Sequence, residues 1–295
     1  MPDYSYAILS ALLWASSAPL INHGLAKLPK EHRFQWICFG LFFAMLTGAI
    51  SLSPFLFIID IPLEFNIYLL LAGVFTFPLA TSTYYLSGEA FSGRTEFASQ
   101  FSKIKPLLSF AFAVLILHES ITRLSLVSIS LIALGTVIFI WAASKHSLSR
   151  RGVFLGLMAA LFWSLGELFM KLGISDIHPI LANFVAIVSG ILISAIFILR
   201  GFKRVTANTG VITTLWPFML HGIVSFGAAY TFFFYSVKEI GLAHSVLINA
   251  FWPILSVLIT AVIRTTQKRP VDVPPILLVA SLILLCGSML QAFVR

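Results

Sequence analysis

Ten long apolar stretches, separated by short polar connections, occupy nearly all of the chain. A helix rises about 1.5 Å per residue and the hydrocarbon core of a bilayer is roughly 30 Å thick, so about 20 apolar residues suffice to cross it. Backbone groups in lipid must form their hydrogen bonds within their own segment, so each stretch predicts a membrane-spanning helix. The predicted spans are residues 4–23, 34–58, 66–86, 95–117, 122–143, 152–173, 179–200, 211–236, 242–263 and 274–294. The pattern therefore predicts an all-α polytopic membrane protein with ten transmembrane helices.

The composition agrees with that class and leaves little room for another. Hydrophobic residues make up 59% of the 295 residues and charged residues only 10%, whereas soluble domains carry about 25% charged residues. The connections are too short to form an extramembrane domain, and the first apolar stretch has neither a basic segment before it nor a small-residue cleavage site. We expect it to be retained as a helix rather than removed as a signal peptide.

The net charge of +8 arises mainly from basic loop residues, which are distributed unevenly between the two faces of the predicted bundle. The odd-numbered loops hold 13 of them: Lys27, Lys30, Arg33, Arg94, Lys145, Arg150, Arg151, Arg200, Lys203, Arg204, Arg264, Lys268 and Arg269. The termini and even-numbered loops hold Arg123, Lys171, Lys238 and Arg295. Short cytoplasmic loops are enriched in Lys and Arg. We therefore predict that both termini lie on the outer face of a bacterial inner membrane, and this distribution does not favour nucleic-acid binding.

The second half of the chain repeats features of the first half in the same order, with nearly constant offsets. The matching pairs are Trp14 with Trp163 and Gly24 with Gly173 at an offset of 149, Pro106 with Pro253 at 147, and Gly135 with Gly287 at 152. Each pair alone is a weak signal, because these residues are common in apolar spans. Four pairs in one order indicate an internal repeat.

Each repeat contains five spans, so the second copy begins on the opposite face of the bilayer from the first. This is an inverted-topology pair, an arrangement on which many secondary transporters are built. We place the first repeat at residues 1–143, a basic cytoplasmic linker at 144–151 and the second repeat at 152–295.

Three charged residues lie within predicted spans, where a charge should face a cavity or a partner. Lys103 and Lys105 are two residues apart, about 200° around a continuous helix, so they cannot both point to one spot. One interpretation pairs Lys103 with Glu96 or Gln100 on its own helix, with Lys105 reaching toward the cytoplasmic edge. The other directs a lysine into a cavity, because Pro106 lets the helix open there. Which of the two lysines faces that cavity is left open.

Glu167, in the sixth span, has two interpretations of equal weight. It precedes Lys171 by four residues, a spacing that favours a local ion pair on one helix. Alternatively it is a carboxylate that binds a substrate ammonium or carries a proton, since burial raises the pKa of a carboxyl group.

Aromatic and amide side chains accompany these charges. Trp14 and Trp163 lie in the middle of their spans, unlike the aromatic residues that commonly mark the edges of a membrane. Asn249 is an amide in an apolar span, close to the Trp252-Pro253 pair. Such an amide either joins two helices or contacts substrate, and both readings stay open.

Several motifs are missing from the sequence. It contains no GxxxxGK[ST] phosphate loop, no HExxH, no CxxC pair and no GxSxG elbow. Cys38 and Cys286 both lie in apolar spans and are expected to be inert thiols, and we interpret His118-Glu119 as a solvated turn. We expect no enzymatic activity, no cofactor and no metal.

These features carry a family resemblance. The two five-helix halves, each opening with a tryptophan-containing span, resemble the ten-helix drug/metabolite transporter superfamily with two EamA-type repeats. Pro106 followed by Leu117-His118-Glu119 resembles the proline and Leu-x-Glu feature that closes the fourth span in that family, whereas Arg264-Thr265-Thr266 departs from it in the second half.

A second part of the resemblance points to one branch of the superfamily. Asn249 followed by Trp252-Pro253 is similar to the Asn-x-x-Trp-Pro stretch of bacterial aromatic-amino-acid exporters. In those exporters the stretch belongs to the first repeat, whereas here it belongs to the second. A swap of halves would accompany the outward termini inferred from charge.

The resemblance implies a central cavity lined by the first, third, fourth, sixth, eighth and ninth spans. Carried onto this sequence, the substrate-binding candidates are Trp14, Tyr84, Lys103, Trp163, Glu167, Tyr230, Asn249 and Trp252. Pro106 and Pro253 are the candidates for helix opening.

We expect a secondary exporter of amino acids or related zwitterions, working by alternating access, with protons as a candidate coupling ion. It would be a monomer or weak homodimer in the lipid bilayer. The alternatives are a carrier of small phosphorylated or carboxylated anions and a non-transporting receptor or scaffold.

Overall fold

The computed structural model describes residues 4–29, 31–59, 66–91, 101–144, 149–206, 211–266 and 275–292. Every regular element within these ranges is a helix. The helices are α1 (Ser5–Lys27), α2 (Arg33–Ile58), α3 (Ile67–Ala90), α4 (Lys105–Leu115), α5 (Arg123–Ser144), α6 (Arg150–Gly173), α7 (Pro179–Thr206), α8 (Val211–His221), α9 (Tyr230–Asn249), α10 (Trp252–Thr266) and α11 (Pro275–Ala292). The π-helical segment Phe75–Thr81 lies inside α3, and Gly222–Ala229 joins α8 to α9. The all-helical prediction is thus confirmed for the described residues.

Five helical segments in the described ranges are long and apolar enough to cross a membrane. They are Arg33–Ile58, Ile67–Ala90, Arg150–Gly173, Pro179–Leu199 and Thr213–Asn249. Shorter apolar helices accompany them, at Lys105–Leu115, Arg123–Ile138 and Val279–Leu290. The chain is an integral membrane protein, and the total of ten spans stays a prediction.

Among the described residues, three interruptions divide helical segments. Inside α9, Gly241 has φ 82° and ψ 168°, which ends one helical segment and starts another. Two-residue turns occur at Lys103–Ile104 and Ala250–Phe251, and the helix after each turn has a proline as its second residue, Pro106 or Pro253. Proline lacks a backbone N–H and suits the first turn of a helix. The helix is therefore interrupted directly before both prolines proposed as opening points.

The two halves of the chain make reciprocal hydrogen bonds. The Thr47 hydroxyl donates to the Met219 carbonyl at 2.8 Å, and the Ser189 hydroxyl donates to the Leu70 carbonyl at 2.9 Å. The donors lie in α2 and α7 and the acceptors in α8 and α3, so each half donates one of these bonds to the other.

Helices α5 and α11 show the same reciprocity. A Cβ atom on Gly135 would meet Leu284, and a Cβ atom on Gly287 would meet Ile132. Gly135 and Gly287 are 152 positions apart, and their contacts Ile132 and Leu284 are also 152 positions apart. The Ser128 hydroxyl donates to the Gly287 carbonyl at 2.6 Å, so the close approach of the backbones is also hydrogen-bonded.

The side chain of Asn183 hydrogen-bonds to the π-helical segment between α8 and α9. The amide nitrogen of Asn183, a fully buried residue of α7, lies 2.8 Å from the Phe226 carbonyl, 3.1 Å from the Gly227 carbonyl and 2.9 Å from the Thr231 hydroxyl. A π turn displaces carbonyls from the regular ladder, so this amide satisfies groups that lipid could not.

Asn183→Leu, which keeps the size of the side chain, is expected to destabilise the protein by about 1–3 kcal/mol, because buried acceptors lose their donor. Thermal unfolding in detergent measures the change. Ser130→Ala serves as the control, since its exposed hydroxyl donates to the Leu126 carbonyl of its own helix. Equal loss of stability in both variants would contradict the assigned role.

Candidate functional site

A buried ion pair joins the two halves of the protein. The ammonium group of Lys105, the first residue of α4, lies 2.5 Å from Oε1 of Glu167 in α6. Their side chains are 13% and 2% exposed. The Ser109 hydroxyl donates to the other carboxylate oxygen, Oε2, at 2.5 Å. Both oxygens of Glu167 are thus bonded to α4.

The interruption before α4 positions this pair. The Lys103–Ile104 turn brings Lys105 to the start of a helix, where the positive end of the helix dipole favours a nearby carboxylate. The Ser164 hydroxyl, on the helix that carries Glu167, lies 3.2 Å from the Lys105 carbonyl. The backbone and the side chain of Lys105 are therefore both held against α6.

Aromatic rings surround the lysine head group. The Lys105 nitrogen lies 5.3 Å from the ring centroid of Trp14 and 5.7 Å from that of Phe233. Trp14 also meets Tyr230 edge to face, with centroids 4.8 Å apart. A cation over an aromatic face is attracted by the ring quadrupole, most strongly where water is scarce. These rings form a wall suited to an ammonium group.

Further rings proposed from the sequence extend this wall. Trp163 packs against Tyr84 with centroids 5.4 Å apart, and it precedes Glu167 by four residues, about one turn of α6. The structure therefore gathers Trp14, Tyr84, Trp163, Glu167 and Tyr230 in one region, from helices of both halves.

The structure selects Lys105, rather than Lys103, as the partner of Glu167. Lys103 is buried in the turn two residues earlier and makes interactions of its own. Its proposed partners Glu96 and Gln100 lie outside the described residues. The alternative that sent Lys105 to the cytoplasmic edge is wrong, and Lys103 as a substrate contact stays a prediction.

The local pair between Glu167 and Lys171 is also wrong. Lys171 instead donates to the Val237 carbonyl at 3.2 Å and lies 3.8 Å from Oε1 of Glu119. Glu167 pairs with Lys105 instead, because the packing of α4 against α6 places the Lys105 ammonium next to the buried carboxylate.

Asn249 makes a helix-to-helix contact. Its amide nitrogen donates to the Ala7 carbonyl at 3.1 Å, which ties α9 to α1. Ala7 lies two helical turns, about 10 Å, from Trp14 along α1. Trp252 is half-buried against the core, and Pro253 is the second residue of α10. Direct contact of these residues with substrate stays a prediction.

Glu119 ends the Leu117-His118-Glu119 feature noted in the sequence, but it was not among the predicted site residues. Its Oε1 accepts the backbone N–H of Leu242 and its Oε2 accepts that of Ala243, both at 2.8 Å. The interpretation of His118-Glu119 as a solvated turn is therefore wrong for the glutamate. The helix restart after Gly241 creates these free N–H groups, and a span boundary predicted at 242 was the signal in the sequence.

Comparisons with known proteins bear on both halves. The model of a family described as the EamA-like transporter family matches residues 1–141 and again residues 150–290. No curated protein matches the chain. A solved structure titled only "Crystal structure of protein" aligns with a TM-score of 0.71 at 15% identity, covering 97% of this chain and 94% of that one. At that identity the likeness establishes the shared fold alone.

Proposed function

We propose, from the premise that this chain belongs to the EamA-like transporter family, that it carries amino acids or related zwitterions by alternating access. The family places it among membrane transporters of small molecules. The single observation that carries the substrate class is the buried pair between Lys105 and Glu167. Export across a bacterial inner membrane, with both termini outward, is part of the proposal.

The charge balance of the pair favours a zwitterion. With no substrate the two buried charges neutralise each other, so neither bears the full penalty of an uncompensated ion, which amounts to several kcal/mol. A zwitterion that enters can give its carboxylate to Lys105 and its ammonium to Glu167, and the site remains neutral overall. An anion or a cation would leave one net charge in a region with little water.

The aromatic wall can contact both the ammonium group and the apolar side chain of such a solute. Trp14 and Phe233 already hold the Lys105 ammonium over their rings, and a substrate ammonium beside Glu167 would meet the same faces. Trp163 and Tyr84 offer apolar surface for a side chain.

The connection between halves gives the site a means of movement. Lys105 belongs to the first half of the chain and Glu167 to the second, so a solute that separates them alters a contact between the two halves. The turns before Pro106 and Pro253 allow the neighbouring helix segments to move. In this scheme the two inverted repeats rock about the pair, and the site opens to one face at a time.

Counterflow in proteoliposomes tests the proposal. Vesicles loaded with a neutral amino acid should take up the same labelled amino acid, and an imposed membrane potential should leave the rate unchanged, because the loaded site is neutral. A dicarboxylate and an organic amine are the matched solutes of other charge. Zwitterion transport would be overturned if the vesicles exchanged the dicarboxylate or the amine but not the amino acid. A rate of amino-acid exchange that follows the membrane potential would also overturn it.

An anion carrier is the second candidate, because Lys103 and Lys105 place two ammonium groups at one helix interruption. It predicts anion-for-anion exchange that persists in Glu167→Gln. Binding of solute without flux in sealed vesicles would instead indicate a receptor.

A further inference from the structure

Contacts between the two halves lie at one end of the bundle, here called the Glu119 face. Tyr6, near the start of α1, stacks on Tyr235 with centroids 5.0 Å apart. The Tyr235 hydroxyl lies 3.3 Å from Nε2 of His178, in the connection between α6 and α7. Glu119 reaches α9 at the same end. Lys27, Arg33 and Arg150 lie at the helix ends on the opposite side of the bundle, so the Glu119 face is the predicted outer face.

The contact of Glu119 with α9 has a geometry that depends on glycine. Gly241 adopts φ 82°, which L side chains rarely adopt, and this leaves the N–H groups of Leu242 and Ala243 at the start of a new helical segment. A Cβ atom on Gly241 would lie 3.0 Å from the carboxylate. The carboxylate binds both N–H groups, as an anion does at a helix N-terminus. The contact joins residues 123 and 124 positions apart, from opposite halves.

This contact lies directly over the buried ion pair. Lys171, which lies 3.8 Å from the Glu119 carboxylate, follows Glu167 by one turn of α6, about 6 Å. Val237, whose carbonyl accepts from Lys171, follows Phe233 by one turn of α9. A solute at the ion pair is thus separated from the Glu119 face by about one helical turn and these contacts.

We propose that Glu119 is a one-sided latch, whose carboxylate must leave the N-terminus at Leu242 each time the site opens to the Glu119 face. The repeat offset of 147 that relates Pro106 to Pro253 places Thr266 opposite Glu119, and threonine carries no carboxylate. The latch therefore acts at one face alone. It rests on the proposed function only in requiring that the site opens to each face in turn.

Removing the latch shifts the population of states in a fixed direction. Two hydrogen bonds to a charged group are lost only in the state closed at the Glu119 face, because the open state has already broken them. Hydrogen bonds to charged groups are among the stronger ones in proteins. The variants Glu119→Ala and Glu119→Gln should therefore favour the state that is open to the Glu119 face.

Side-specific cysteine labelling tests the latch without any knowledge of the substrate. The probe is Ser10→Cys in a background of Cys38→Ser and Cys286→Ser. Ser10 is fully buried on α1, between Tyr6 and Trp14, and its hydroxyl has no hydrogen-bond partner among the described residues. A membrane-impermeant maleimide is applied to oriented vesicles from each face. We expect Glu119→Ala and Glu119→Gln to raise the labelling rate from the Glu119 face by about tenfold.

The matched control is Glu89→Gln. Glu89 forms an ion pair with Arg33 at 2.6 Å, inside the first half and at the opposite face, so its loss should leave the labelling at wild-type values. Glu119→Asp keeps the charge and should restore part of the protection. Wild-type labelling in both Glu119 variants, or an equal increase from both faces, would overturn the latch. Should Glu119→Ala fail to fold, Glu119→Gln keeps the size of the side chain and decides the question. Because labelling reads conformation, failure of amino-acid counterflow would leave this result intact.

Discussion

Glu167→Gln is expected to lower zwitterion flux by about a hundredfold or more and to destabilise the protein by about 3–5 kcal/mol. The amide has the size of the carboxylate, but it leaves the Lys105 ammonium buried with no counter-ion, and breaking a buried pair by neutralising one partner carries a penalty of about that size. Each 1.4 kcal/mol of lost substrate stabilisation corresponds to about tenfold. Counterflow in proteoliposomes measures the flux, and thermal unfolding in detergent measures the stability.

A double variant separates function from folding. Lys105→Met with Glu167→Leu replaces both charges by apolar side chains, an exchange that is often neutral or stabilising for a buried pair. We expect it to regain thermal stability and to remain inactive in transport. Glu89→Gln, which removes the Glu89–Arg33 ion pair, should transport normally. Transport at wild-type rates in the double variant would remove the ion pair from the mechanism.

Gly73→Ala and Gly222→Ala are each expected to destabilise the protein by about 3 kcal/mol, at the upper end for overpacking. A Cβ atom on Gly73 would overlap the Ala186 carbonyl, and one on Gly222 would overlap the Ala44 carbonyl. Backbone atoms cannot rotate away, so the paired helices must separate. The Gly73 contact lies beside the Ser189–Leu70 hydrogen bond, and the Gly222 contact lies beside the Thr47–Met219 hydrogen bond. Separating the helices would therefore also weaken the hydrogen bond at each interface.

Gly190→Ala is the matched control for these glycines. A Cβ atom there would lie 2.9 Å from the sulfur of Met45, on a flexible side chain, and 3.1 Å from the Cβ atom of Phe77, which must shift by only a few tenths of an ångström. Alanine also favours a helix over glycine by roughly 0.5–1 kcal/mol, so the loss of stability should be much smaller than at Gly73 or Gly222. Equal losses at the three positions, measured by thermal unfolding, would contradict the argument from the backbone.

The helical period alone did not predict which of the two lysines pairs with Glu167. On a continuous helix, side chains two residues apart point about 200° apart, which left Lys103 and Lys105 as alternatives. The turn at Lys103–Ile104 interrupts the helix, so the angular relationship no longer holds. Pro106 indicated an opening, but the direction of the chain after it depends on how α4 packs against α6.

The sequence by itself determined the helical class, because length and hydrophobicity must match a bilayer in which backbone groups find no other partners. It also revealed the repeated tryptophan, proline and glycine positions, since those residues serve the same backbone and packing needs in both halves. Only the tertiary structure decided that Glu167 pairs with Lys105 and that Glu119 binds the start of the helix at Leu242. Glu119 and Leu242 are 123 positions apart. No local period encodes such a contact, because it forms only once helices of opposite halves have packed together.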